Sequence, residues 1–394
     1  MRTMNQNILV AGEDLTGLKE KSLEVSKALA DWLLACQLPE NHFFAEAGDF
    51  YVSCGPDGKT FRAATWNLAF AIMGLLAAYR HFGEEKYRTG AGRMARYLKS
   101  LQMFSPFQAE YYGCFREMSP QTPWCYVRDT VSAAWCMLEL YRETHEEEYL
   151  ERAMLWYKWF RRYGMDSSGW PLWGVQFGPA FDGPGNEIRL HNELHGCFHG
   201  GSLNFFYQMY RQTGNKEFIG DFYRNIADRF VSEIQQADGF FRSVDAATGK
   251  VPENDPQQNL HRGNDDLGTL GLAGAFRITG KEAYRESILK FFHAVFARQG
   301  EDGGVEASCA PDPVILNAVY ETRELLNGWT PPRGVLRKLL EHLFSRQVRE
   351  PENPLRNGGL DESGDGWVCA RSGCYALIVL LKIFGNGGTC LAAE

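Results

Sequence analysis

The sequence predicts an all-α chain, an (α/α)6 toroid of six inner and six outer helices with long loops on one face. Three observations carry that expectation: a recurring corner motif, an alternation of wholly apolar with amphipathic runs, and loops of two very different lengths. The motif reads YRHFGEEKY at 79–87, YRETHEEEY at 141–149, YRQTGNKEF at 210–218 and FRITGKEAY at 276–284. Copies fall roughly 60–70 residues apart, a repeat period that fits stacked helical hairpins.

Each copy follows a run that is apolar nearly all round, such as 66–78 or 266–275, as befits a helix buried on every side. Each precedes an amphipathic run, such as 147–163 or 217–234, with apolar residues three and four apart. The motif is therefore a tight corner between an inner and an outer helix. Gly83, Gly214 and Gly280 stand where a helix C-terminus takes a left-handed residue, and His145 takes that place in the second copy. A fifth pair is expected at 314–326 and 333–347, broken by Thr330-Pro331-Pro332. The sixth joins the last apolar run, 371–384, to the first amphipathic one, 15–36, and so closes the ring. An open solenoid would instead need polar caps at both ends, and CYALIVLLKIF is no polar cap. Residues 1–394 thus read as one domain, although the length alone allows more.

The corners are only a few residues long, whereas the returns run over 37–62, 104–127, 164–194, 238–263 and 349–370. Loops of that length in a compact domain are usually functional. All emerge where inner helices present their N-termini, which makes that end the expected working face.

The net charge of −8, with no basic stripe, excludes nucleic acid as an expected partner. No apolar run is long enough to cross a bilayer. MRTMNQNILVAGEDL lacks the regions of a secretion signal, and the ten Cys form no CxxC pair. Free thiols and a cytoplasmic location are the expectation.

Ten Trp, seventeen Tyr and twenty-six Phe exceed the needs of an ordinary core. Many sit in the long returns or at the inner-helix starts: Tyr51, Trp66, Tyr111, Tyr112, Trp124, Tyr126, Trp170, Trp173, Phe177 and Trp367. They either pack loop on loop or offer flat platforms for sugar rings; Tyr51, Trp66, Trp124, Trp173 and Trp367 are the platform candidates.

Charged groups gather at the same places. Asp129 opens the second inner helix beside Arg128, and Asp265 and Asp266 open the fourth behind His261 and Arg262. Each Asp is also a plausible helix cap, but caps do not need cationic neighbours and charge-handling sites do. EIRLHNELHGCFHGG packs Glu187, Arg189, His191, Glu193, His195 and His199 together. The four-residue His spacing suits a metal on a helix, yet Gly196, Gly200 and Gly201 argue against a helix there, so acid–base or substrate contact is expected and a metal is not. The last return, NGGLDESGDGWVCARSG, reads as a solvated turn carrying Trp367 and Arg371. No phosphate-cradling loop, dinucleotide fingerprint or serine elbow is present, so no cofactor is expected.

The ring with its aromatic, acidic face resembles the (α/α)6-barrel carbohydrate-active enzymes over the whole chain. VRDTVSAAWCMLELYRETHEEEYLERA is similar to the segment around a catalytic Asp in unsaturated glucuronyl and rhamnogalacturonyl hydrolases, and NDDLGTLGLAGAFRITGKEAYRESI to their other Asp-bearing helix. By that resemblance Asp129 and Asp266 are the working pair. It implies a glycoside hydrolase acting on short oligosaccharides, uronates among them, by general acid–base catalysis. Glu193 is the substitute carboxylate, and Arg128, Arg189, Arg262 and Arg371 are candidate holders of a substrate carboxylate. The same fold also carries epimerases and lyases, for which His191, His195, His199 and Tyr would supply acid and base. Two further readings are zinc chemistry of the lanthionine-cyclase type, echoed by Trp124-Cys125-Tyr126 with Cys197 and His199, and a sugar-binding ring without catalysis.

Overall fold

A computed structural model describes residues 7–39, 47–177, 194–195, 200–252 and 265–388. Within them run twelve α-helices: α1 (Lys19–Ala35), α2 (Thr65–Phe82), α3 (Glu85–Ser100), α4 (Val127–Thr144), α5 (Glu147–Tyr163), α6 (Gly200–Thr213), α7 (Asp221–Arg229), α8 (Asp265–Thr279), α9 (Glu282–Phe296), α10 (Pro311–Thr322), α11 (Val335–Ser345) and α12 (Ala370–Phe384).

The even-numbered helices pack in the order α2, α4, α6, α8, α10, α12 and back to α2, so the ring is closed. The odd-numbered helices lie outside it, each against its hairpin mate, and α1 pairs with α12 to join the two ends of the chain. Sequence dictates the two layers. From Asn67 to Ala78 every residue of α2 is buried, whereas α3 buries only the stripe Tyr87, Gly90, Ala91, Met94, Ala95, Tyr97 and Leu98.

The recurring motif is a corner whose parts have separate tasks. Gly83, His145, Gly214 and Gly280 adopt φ of 70°, 58°, 71° and 69°. Each donates its N–H, at 2.7–2.8 Å, to the carbonyl of the motif's first aromatic: Tyr79, Tyr141, Tyr210 and Phe276. The second aromatic is buried and, in two copies, reaches the preceding outer helix, Tyr87 Oη to Asp31 at 2.7 Å and Tyr284 Oη to Asp228 at 2.6 Å.

A second repeat closes the other end of the outer layer. Gln37, Gln102, Gln235, Gln299 and Gln347 follow outer helices, and each donates its side-chain amide to a carbonyl near the next one round: Gly90, Arg152, Ser287, Val335 and Val25. Glycines in the following loops press onto the same helices. A Cβ on Gly48, Gly113, Gly239, Gly303 or Gly358 would stand 2.3–2.8 Å from a backbone oxygen of the neighbouring outer helix. Met165 and Gly169 hold these places in the one step that lacks the Gln, and a Cβ on Gly169 would meet only Asn225 Nδ2 at 3.5 Å.

One expectation needs correction. The amphipathic run 217–234 is not one helix: it is a 3-10 turn (Lys216–Ile219), then α7, then a π turn (Phe230–Ile234), because Gly220 is extended at φ −71°, ψ −163°. The long returns, of which the sequence gives only the length, carry structure of their own. They hold short antiparallel pairings, with β3 (Tyr51–Cys54) between β4 (Thr60–Arg62) and β9 (Val368–Cys369), β5 (Trp124–Tyr126) on β6 (Gly174–Gln176), and β7 (Leu194–His195) on β8 (Val244–Asp245); a further pair joins β1 (Leu9–Val10) to β2 (Glu13–Asp14). Backbone buried under loops needs partners, and strand ladders provide them. The eight cysteines among the described residues are free thiols, all buried except the half-buried Cys369.

Candidate active site

The end of the ring expected to be the working face is built from the first turns of the inner helices and the returns that lead to them. At α4, Tyr126 is the N-cap and Asp129 the third helical residue. An acid there ordinarily reaches back to the N-cap amide. Here that amide is taken: Tyr126 N donates to Glu117 Oε2 at 2.9 Å. Asp129 is therefore released from capping. It is 2% exposed and accepts a hydrogen bond from Arg128 Nε at 2.5 Å.

Glu117, on the return 104–127, was not among the residues singled out from sequence. Its carbonyl accepts both the N–H (2.7 Å) and the hydroxyl (2.5 Å) of Thr65, the first residue of α2, and its own N–H donates to Trp124 O at 3.1 Å. One loop residue thus ties the starts of two neighbouring inner helices. Its side chain is 1% exposed. Burial pushes the carboxyl well above the ordinary range; the charge of Asp129 and a hydrogen bond with it push further, and the Tyr126 amide pulls the other way.

Around this pair stand aromatic groups. The half-buried Trp66, second residue of α2, carries the Arg128 guanidinium over its ring at 5.8 Å and meets Phe70 edge-on at 5.9 Å. Trp124 and Tyr126 lie on one face of β5 with rings 4.9 Å apart. The Tyr126 phenol is raised by burial, then by Glu117 and Asp129, which puts its hydroxyl within electrostatic reach of both carboxyls.

The other candidates fall elsewhere. Trp173 is buried in the core and its carbonyl accepts the Val127 N–H at 3.0 Å. Tyr51 and Trp367 are half-buried on the β3–β4–β9 side, where Trp367 packs on Phe61 at 5.5 Å. Arg371, in the first turn of α12, pairs with the buried Glu362. Asp361 and Asp365 of that loop accept backbone N–H groups from Gly364, Gly366 and Trp367, as turn residues do. Asp265 and Asp266 open α8, and His195 lies on β7 opposite Val244; only their backbone is described. Arg189, His191, Glu193, His199, His261 and Arg262 lie outside the described residues.

A second buried acid also escaped the sequence reading. Asp312 sits in the first turn of α10, with Oδ2 2.7 Å from His342 Nδ1 of α11 and Oδ1 without a partner. Burial pushes it up to about 7 against the pull of His342 and Arg346. It hooks an inner helix to its outer mate, as Thr130 does in α4 by accepting Trp156 Nε1 at 3.0 Å.

No protein-family model matches the sequence, and no curated protein matches it. Solved structures do match. A cellobiose 2-epimerase from Bacillus thermoamylovorans B4167 is similar at TM-score 0.67 and 13% identity, over 92% of this chain and 99% of its own. An unsaturated glucuronyl hydrolase specific for heparin gives 0.65 and 14%, over 93% and 97%. An inactive variant of an α-1,6-mannanase of Salegentibacter sp. HEL1_6, in complex with α-1,6-mannotriose, gives 0.62 and 14%, over 91% and 98%. The chain shares the six-hairpin (α/α)6 fold of these carbohydrate-active enzymes.

Proposed function

We propose that the protein is a glycoside hydrolase acting on short oligosaccharides, uronate-containing ones among them. The observation that carries this reading is the buried pair Glu117 and Asp129 at an inner-helix start, under the Arg128 guanidinium and the Trp66 ring. A carboxylate not consumed as a cap, beside an aromatic platform and a guanidinium, suits a sugar with an acidic substituent.

In this reading Asp129 works with Asp266, one as general acid to the glycosidic oxygen and the other activating water. Asp266 stands with Asp265 at the first two positions of α8, an inner-helix start like that of Asp129. The similar structures include two hydrolases. An epimerase is the second reading, favoured by a tyrosine, Tyr126, whose phenol feels the charge of both carboxyls, and by the epimerase among the similar structures.

Proton NMR of candidate disaccharides incubated with the protein in heavy water separates the two. Hydrolysis gives new reducing-end signals with no deuterium at ring carbons. Deuterium entering a sugar C–H position while the glycosidic bond stays intact overturns hydrolysis in favour of epimerisation.

A further inference from the structure

We infer that Glu117 is a positioning residue of the proposed site, donating its carboxyl hydrogen bond to Asp129 and so fixing the carboxylate that acts on the sugar. This rests on the reading above that Asp129 is the working carboxylate.

The geometry leaves Glu117 little freedom. Its backbone is clamped between Thr65 of α2 and Trp124 of β5, and Oε2 faces the Tyr126 amide. The carboxyl also meets Asp129, whose Oδ1 is held by Arg128. Two carboxyls facing each other out of water cannot both be charged at modest cost. The groups packed around them are Arg128 from α4, Tyr126 and Cys125 from β5, Cys114 from the same loop and Thr65 from α2. Arg116 turns aside, to Thr122 O at 2.7 Å and the Phe177 ring. Among the described residues the cation set against the pair is Arg128, and it balances one carboxylate. The proton therefore stays on the more enclosed member, Glu117, which becomes a donor. Asp129 then takes two fixed hydrogen bonds, from Arg128 and from Glu117, and its orientation is set before substrate arrives. Because Glu117 occupies the N-cap amide as well, one side chain both frees Asp129 from capping and aims it.

Two variants and a spectroscopic readout test this. Glu117→Leu removes the donor and is expected to lower kcat about 10–100-fold with KM little changed, the scale of effect seen for groups that orient a working ligand. Glu117→Gln keeps an N–H toward Asp129; it recovers most of that loss and removes the alkaline limb of the pH profile, since an amide does not titrate. Independently of any substrate, the infrared spectrum of the wild type minus that of Glu117→Gln at neutral pH shows the carbonyl band of a neutral carboxylic acid, a subtraction that cancels the Asp312 carboxyl common to both. Absence of that difference band overturns the inference even if neither variant can be assayed for turnover. So does a folded Glu117→Leu with wild-type kcat and pH profile, or a Glu117→Gln as inactive as Asp129→Asn, which would make Glu117 itself the proton donor to the sugar. If no sugar is turned over, the proposed function fails while the band still reports on Glu117.

Discussion

Glu117 Oε2 lies 2.9 Å from the amide of Tyr126, the group that an acid three residues into α4 would normally cap. This one bond takes the cap that Asp129 would otherwise supply. From sequence, Asp129 has two readings of similar merit, a cap or a reacting group. The displaced cap is what the proposed function builds on, and it comes from a residue 12 positions earlier in a loop.

Asp312 makes stability depend on pH. Its folded carboxyl, pushed up to about 7 from 3.8, holds a proton that the unfolded chain loses. The stabilisation is fully present below the unfolded value and is lost as pH rises through the folded one, at up to about 1.4 kcal/mol per pH unit. Asp312→Asn keeps an acceptor for His342 and flattens the profile between those limits. Urea denaturation across that window checks it; an unchanged slope contradicts the assignment.

The glycine repeat predicts unequal costs for one chemical change. Gly303 has φ 94° and a Cβ there would stand 2.4 Å from Lys338 O, whereas Gly169, at φ 79°, has 3.5 Å to a side-chain nitrogen. Gly169→Ala is expected to cost about 1–2 kcal/mol for the left-handed backbone alone. Gly303→Ala adds a backbone clash and is expected to cost at least about 1 kcal/mol more. Equal shifts in denaturation midpoint would contradict a docking role for these glycines.

Lys382 of α12 reaches Glu321 Oε1 at 2.7 Å and Asn317 Oδ1 at 2.9 Å, both on α10, and so ties two inner helices. Lys382 and Glu321 are nearly buried, so Lys382→Met takes the ammonium away from a nearly buried carboxylate and is expected to destabilise the fold by about 1–3 kcal/mol. Adding Glu321→Gln is expected to restore part of that loss. A loss that deepens in the double variant contradicts the pairing.

The ring was legible because its corners are written in local chemistry: a left-handed glycine four residues after an aromatic, then a second aromatic that must be buried. The Gln–Gly repeat was harder to see. Its members are 11 residues apart at Gln37–Gly48, Gln102–Gly113 and Gln347–Gly358 but four apart at Gln235–Gly239 and Gln299–Gly303, so no fixed period exposes it. The loop ladders and Glu117 were invisible for a related reason. Loops have no hydrophobic periodicity, and what Glu117 does follows from which helix starts lie on either side of it in space. Asp312, inside Pro311-Asp312-Pro313, gave only an ordinary first-turn signal.

The most direct test is turnover by Asp129→Asn, compared with wild type on an oligosaccharide panel that includes unsaturated uronates, with circular dichroism confirming the fold. Removal of a working carboxylate is expected to lower kcat by about 10²–10⁴-fold or more, with little change in melting temperature. Near wild-type turnover by the folded variant on the substrate it cleaves best would contradict Asp129 as the centre of the site.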